Sequence, residues 1–184
     1  MMKLLLALVA PLAKFTSKLK QPDPAINDAV MMTIKTLIKD GDCLVSRTSW
    51  QFTNLLMPGF YKHAAVYLNG WVYEASTGEG VRKVSLEEFC FKKDFVGLCR
   101  YQEMDAELVQ VSYGYLENKL GKSYDWDLYL SDNDKFYCSE LCFYLYCLCF
   151  GDFAKRFKPS KYLGKEVIRP TDLWINLKQI GSWK

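Results

Sequence analysis

Asn69-Gly70 is the dipeptide that most constrains how this chain folds. It separates two apolar runs, Lys62-His63-Ala64-Ala65-Val66-Tyr67-Leu68 and Trp71-Val72-Tyr73-Glu74-Ala75. A two-residue hairpin turn needs positive φ at both central positions, which Asn and Gly tolerate best, so the pair specifies a β-hairpin. The turn length then sets the register: Leu68 faces Trp71, Ala65 faces Glu74 and His63 faces Ser76. His63 and Glu74 become diagonal neighbours on one face, within reach of each other's side chains. His63 is the only histidine in the chain. A carboxylate beside an imidazole orients the ring and raises its basicity.

Other elements follow from periodicity and punctuation. Ile26, Val30, Ile34 and Ile38 give helical spacing over 24–39, stopped by Asp40-Gly41. Residues 42–47 read as a buried strand, 48–57 as a helix or turn, and 81–84 as a third strand beyond the Thr77–Gly80 turn. Ser85-Leu86-Glu87-Glu88 is a capping box opening a short helix. Residues 95–101 read as a strand and 104–120 as a helix closed by Gly121. An acidic, aromatic loop over 122–134 leads into a helix over 136–150, apolar nearly all round and hence buried. A strand over 166–169 and a closing helix over 174–180 are expected. The sum is α+β: a small antiparallel sheet packed against helices.

Residues 1–24 are read as a separate N-terminal segment, and 25–184 as one folded domain. Leu4, Leu5, Leu8, Leu12, Phe15 and Leu19 gather on one side of a helix, with Lys14 and Lys18 on another. The apolar stretch is shorter than the ~20 residues that span a bilayer. We read it as an uncleaved amphipathic helix lying in a membrane interface, which places the protein in the cytoplasm, peripheral to the membrane. Export through a cleaved signal is the alternative, although Pro11-Leu12-Ala13 is a poor cleavage site. Pro22 and Pro24 make the linker. Residues 1–20 and 153–165 are basic without acids, and they leave the remaining body acidic. That distribution fits a membrane surface better than a nucleic-acid groove, and a net charge of +3 argues against nucleic acid.

The seven cysteines are odd in number and mostly lie in apolar runs, which points to reduced thiols. There is no Cys-x-x-Cys, and the lone His is far from the Cys cluster, so neither a metal site nor a cofactor is expected. Cys138 is the best nucleophile. It stands near a helix start, where unpaired backbone N–H groups and the dipole favour a thiolate. Its own N–H is placed to serve an oxyanion. Cys142, Leu145 and Cys149 continue down one face of that helix and read as core, as do Cys43, Cys90 and Cys99.

Six stretches in order resemble the permuted papain-like superfamily that includes the NlpC/P60 proteins, most closely its YiiX/YaeF-like branch. They are Gly41-Asp42-Cys43-Leu44-Val45, His63-Ala64-Ala65-Val66-Tyr67, Glu74-Ala75, Gly78-Glu79-Gly80-Val81, Leu120-Gly121-Lys122-Ser123-Tyr124-Asp125 and Tyr137-Cys138-Ser139-Glu140-Leu141. The resemblance covers about residues 41–145. It implies Cys138 as nucleophile, His63 as base, Glu74 as the orienting residue, and a cleft between the Cys-bearing helix and the sheet. It also implies an amide, peptide or ester substrate, including ones of lipid or peptidoglycan character. Lecithin retinol acyltransferase-like relatives usually carry a second histidine where Glu74 stands, and this chain falls outside that branch. Tyr124 and Tyr137 are candidates for lining the cleft or assisting the oxyanion, while the Gly-x-x-Tyr-Asp stretch reads equally as a structural corner.

The expectation is therefore a thiol hydrolase, an amidase or peptidase or a lipid ester or amide hydrolase, acting through an acyl-enzyme at a membrane. The rival is a non-catalytic lipid or small-ligand binding module of the same fold.

Overall fold

The 69–70 turn forms as its composition dictates: Asn69 has φ of 50° and Gly70 of 81°. The computed structural model describes residues 26–49, 58–91, 93–128, 130, 134–162 and 164–184. The expected N-terminal helix and linker, and most of the segment expected over 48–57, lie outside the described residues.

The described elements are, in order, α1 (Asp28–Leu37), β1 (Cys43–Arg47), β2 (His63–Leu68), β3 (Trp71–Ser76), β4 (Gly80–Val84), α2 (Leu86–Cys90) and β5 (Phe95–Arg100). There follow α3 (Ala106–Lys119), β6 (Ser123–Tyr124), β7 (Lys135–Phe136), α4 (Cys138–Cys149), α5 (Phe153–Arg156), β8 (Ser160–Tyr162), β9 (Lys165–Val167), α6 (Pro170–Asn176) and β10 (Lys178–Trp183). Six strands form one antiparallel sheet in the order β10-β5-β1-β2-β3-β4. The β2–β3 pairing runs from Leu68 opposite Trp71 to Ala65 opposite Glu74, the register expected from the turn.

Alternation along the strands gives the sheet two apolar faces. Cys43, Val45, Ala64, Val66, Tyr73, Ala75 and Cys99 face the helix α4, meeting Leu141, Cys142, Leu145 and Tyr146. Leu44, Ala65, Val72, Val84, Val96 and Leu98 face α1 and α2, meeting Ile34, Leu86, Phe89 and Cys90. Each fully buried Leu of these layers stabilises the fold by about 1.5–3 kcal/mol. All seven cysteines are free thiols.

One expectation fails. Residues 174–180 do not form a closing helix: the helix ends at Asn176, and Lys178–Trp183 adds an edge strand to β5. Pro170 opens that helix four residues before Trp174, with the Arg169 N–H donating to Asp172 Oδ2 at 2.9 Å. The Leu177 N–H then closes it on the Leu173 carbonyl at 2.9 Å.

Two corners position the site. At the first, Asp42 is fully buried and takes both Arg100 Nε and NH2, at 2.5 and 2.8 Å, while the Tyr146 hydroxyl donates to the Gly41 carbonyl at 2.8 Å. This ties the start of β1 to the middle of α4. At the second, the Val81 N–H donates to the Lys122 carbonyl and the Gly121 N–H to the Val81 carbonyl, both at 2.8 Å. Gly80 makes that approach feasible. Its φ is 74°, and a Cβ there would lie 2.1 Å from the Lys122 carbonyl oxygen. Tyr124 then pairs with Phe136 in a parallel bridge, bringing the Gly-x-x-Tyr-Asp corner beside the start of α4.

Candidate active site

Cys138 is the first helical residue of α4, with Tyr137 at the N-cap in extended geometry. The N–H groups of this first turn have no partner within the helix, and the dipole's positive end lies with them. Ser139 is held by donating its hydroxyl to the Ile168 carbonyl at 2.6 Å, and the Tyr137 N–H donates to Glu140 Oε2 at 3.2 Å. The helix start is therefore fixed from both sides. Cys138 keeps a thin exposed edge of 3%.

His63 is the first residue of β2, on the face that also carries Ala65. Its ring stacks on Phe89 of α2, with centroids 5.8 Å apart and planes 28° apart. Helix α4 lies on the opposite face of the sheet. The imidazole and the thiol meet at the beginning of the strand, where the two layers come together. The His63 imidazole and the Cys138 thiol lie close enough to shift each other's protonation, and the Ala64 backbone also favours the thiolate.

On its other side, His63 Nε2 lies 2.5 Å from Glu74 Oε2. With Nε2 engaged there, Nδ1 is the nitrogen left for the thiol. Glu74 is 4% exposed, so its carboxylate is taken from water and must be balanced. Arg82 supplies part of the balance, with Nε at 2.8 Å and NH2 at 2.7 Å from Glu74 Oε1. The strand register puts Arg82 directly opposite Glu74. Arg82 also pairs with Glu79 at 2.5 Å and Glu88 at 3.2 Å.

These contacts decide the protonation states. Burial opposes charge on Glu74, but His63, Lys93 and Arg82 outweigh it and hold the carboxyl at about 2. Burial likewise opposes charge on His63, yet Glu74 and the Cys138 sulfur raise it to about 9. The Cys138 thiol is pushed up by burial and pulled down more strongly by His63, with help from Ala64 and Ser139, so its pKa lies below the ordinary thiol value. Both shifts favour the thiolate–imidazolium form of the pair. The other thiols contrast with it. Burial raises Cys99, Cys142, Cys147 and Cys149, and takes Cys90 to about 12. The neighbouring Cys142 and Cys99 side chains pull the Cys43 pKa down, but Cys43 is 0% exposed and sealed beneath α4, and those two thiols donate to the Cys138 and Cys43 carbonyls.

The two tyrosines separate. Tyr124 is half-buried, and its hydroxyl is close enough to Cys138 for the sulfur to raise its pKa, after burial. Tyr137 is fully buried, and its hydroxyl accepts from the Ile168 N–H at 3.0 Å, packing the end of β9 onto α4. The structure thus brings Cys138, His63, Glu74 and Tyr124 together and places the Tyr137 hydroxyl in the core.

Arg82 and Lys93 are the site residues that sequence reasoning missed. Arg82 was accessible: a turn over 77–79 after the third strand sets it opposite Glu74. Lys93 carries no such signal, because a return loop brings it to the site.

The family model of the permuted papain-like amidase enzymes, YaeF/YiiX, C92 family, matches residues 37–175. A crystal structure described as the metalloprotein YiiX from Escherichia coli O157:H7 superposes with a TM-score of 0.62 at 21% identity, covering 80% of this chain and 99% of that one. No curated protein matches the sequence. Among the described residues of this chain, no group of three or more His, Cys, Asp or Glu side chains is arranged to hold a metal ion.

Proposed function

This chain belongs to the YaeF/YiiX family of permuted papain-like amidases, an enzyme family acting on amide-containing substrates, and we propose that it works through a Cys138–His63–Glu74 triad. The observation that carries this reading is the position of His63 between the Cys138 thiol and the Glu74 carboxylate.

The Cys138 thiolate attacks the amide carbonyl carbon, forming a C–S bond and an oxyanion. In this reading the Cys138 backbone N–H and the Tyr124 hydroxyl stabilise that oxygen. His63 gives its Nδ1 proton to the leaving nitrogen as the C–N bond breaks, and the amine departs. The neutral imidazole then takes a proton from water, whose oxygen attacks the thioester. The C–S bond breaks, the acid leaves, and thiolate and imidazolium are restored. Glu74 keeps the ring oriented and its charge stabilised throughout.

The test is intact-mass analysis after rapid quench with activated aryl amides. The expected result is an acyl adduct on Cys138 in the wild type, none in Cys138→Ala, and strongly slowed formation in His63→Ala. Turnover that persists in Cys138→Ala sinks the triad.

The N-terminal segment extends this reading. Its leucine stripe and lysines support peripheral attachment to the cytoplasmic face of a membrane, with a lipid amide or ester as substrate. Among the described residues, no helix is long and apolar enough to cross a bilayer. Co-sedimentation of the full chain with anionic vesicles tests this. Lys14→Glu with Lys18→Glu is expected to weaken the binding, and equal binding by both proteins refutes it.

A further inference from the structure

Lys93 takes part in no bond-making step of the chemistry above; its charge only helps to keep Glu74 ionised. The chain leaves α2 at Phe91 and turns back, with the Lys93 N–H donating to the Cys90 carbonyl at 3.1 Å. The Asp94 N–H then donates to the Arg47 carbonyl at 2.9 Å, tying the loop to β1. Lys93 is thus held at both ends of the return. Its Nζ lies 5.5 Å from the centroid of the Phe89 ring, the same ring that stacks on His63. Its charge interacts with Glu74, Arg82, Cys90 and Cys138.

The nearby carboxylates are already engaged. Glu74 gives Oε2 to His63 and Oε1 to Arg82, and Arg82 also binds Glu79 and Glu88. Among the described residues, Lys93 makes no ion pair. Lys93 is half-buried, and burial pulls its pKa down against the opposing pull of Glu74. Phe89 offers its ring face, which partly offsets the lost hydration.

We propose that Lys93 binds a carboxylate of the substrate, so that the favoured amide is an acidic one, such as an N-acyl amino acid or a peptide with a nearby carboxylate. The inference rests on the triad reading above. A single ammonium with three donors suits a monoanion. A phosphate dianion would call on the guanidinium of Arg82, which is already shared among three carboxylates.

Paired alkylation tests this without knowledge of the natural substrate. Iodoacetate and iodoacetamide attack the same sulfur and differ in charge. Their rate ratio at Cys138, read by peptide mass spectrometry, isolates anion preference from the thiolate fraction that both reagents share. The wild type is expected to favour iodoacetate. Lys93→Met is expected to lower the ratio by about three- to tenfold, and Lys93→Arg to restore most of it. A measurement on the wild type alone accompanies these: N-acetylglycine is expected to protect Cys138 better than N-acetylglycinamide. If Cys138 reacts rapidly with iodoacetamide, yet the ratio is the same in Lys93→Met and the two competitors protect equally, the Lys93 assignment is wrong and the triad stands. If wild-type Cys138 reacts with neither reagent, the triad reading fails and takes this one with it.

Discussion

Arg82 occupies Oε1 of Glu74 and leaves Oε2 as the oxygen that faces His63. The guanidinium and the imidazole thereby divide one buried carboxylate between them. Each keeps the other's partner in place, and the geometry has three measurable consequences.

Glu74→Gln preserves the shape of the side chain and removes its charge. His63 then loses the main influence raising its pKa, and the Cys138 thiol rises with it. Iodoacetamide alkylation of Cys138 at mildly acidic pH is expected to fall by about tenfold or more, since each pKa unit changes the thiolate fraction about tenfold. An unchanged pH profile would show that the carboxylate does not tune the pair.

The same pair links stability to pH. The pKa of His63 is raised from 6.5 to about 9, so its contribution is full below 6.5 and is lost as pH rises through about 9. That of Glu74 is lowered from 4.5 to about 2, so its contribution is full above 4.5 and is lost as pH falls through about 2. Thermal melts in a Cys138→Ser background, where the thiol no longer titrates, should show His63→Gln flattening the alkaline limb. Glu74→Gln should flatten both limbs. Parallel melting curves for all three proteins would contradict this linkage.

Arg82→Met removes the cation shared by Glu74, Glu79 and Glu88. The Glu74 pKa is expected to rise from about 2, and the fold to lose about 1–2 kcal/mol. That figure is below the full cost of a broken buried pair, because Arg82 is one-third exposed. Urea unfolding measures the loss, and a Cys138 alkylation profile measures the loosening of the site.

Tyr124→Phe and Tyr137→Phe should separate activity from stability. Loss of the Tyr124 hydroxyl is expected to lower kcat roughly 10- to 100-fold with little change in Tm. Loss of the Tyr137 hydroxyl leaves the buried Ile168 N–H without its acceptor, which costs about 1–3 kcal/mol and leaves kcat nearly unchanged. The reverse pattern would move the oxyanion donor to Tyr137.

What was legible in the sequence was what local chemistry determines. Asn69-Gly70 set the hairpin and its register, and the register put Glu74 beside His63. The apolar run around Cys138 announced a buried helix with a thiol at its start. Strand β10 was hidden because its pairing with β5 is distant in sequence. Gly181, with a register shift beside it, also breaks the alternation that marks a strand. Lys93 was hidden for a related reason: its role depends on where a loop returns, and periodicity says nothing about that.

The hairpin that joins His63 to Glu74 has one further consequence, for the order in which the site comes into being. These two residues lie 11 positions apart across a two-residue turn, a unit that forms in about 1–10 μs. Cys138 arrives from far along the chain, on a helix that must dock against the sheet before its thiol meets the ring. Base and carboxylate are thus assembled locally and early, while the nucleophile is delivered by tertiary folding. Until α4 docks, Cys138 is an ordinary thiol, so the chain cannot acylate itself or capture stray electrophiles with an activated sulfur while it is still folding.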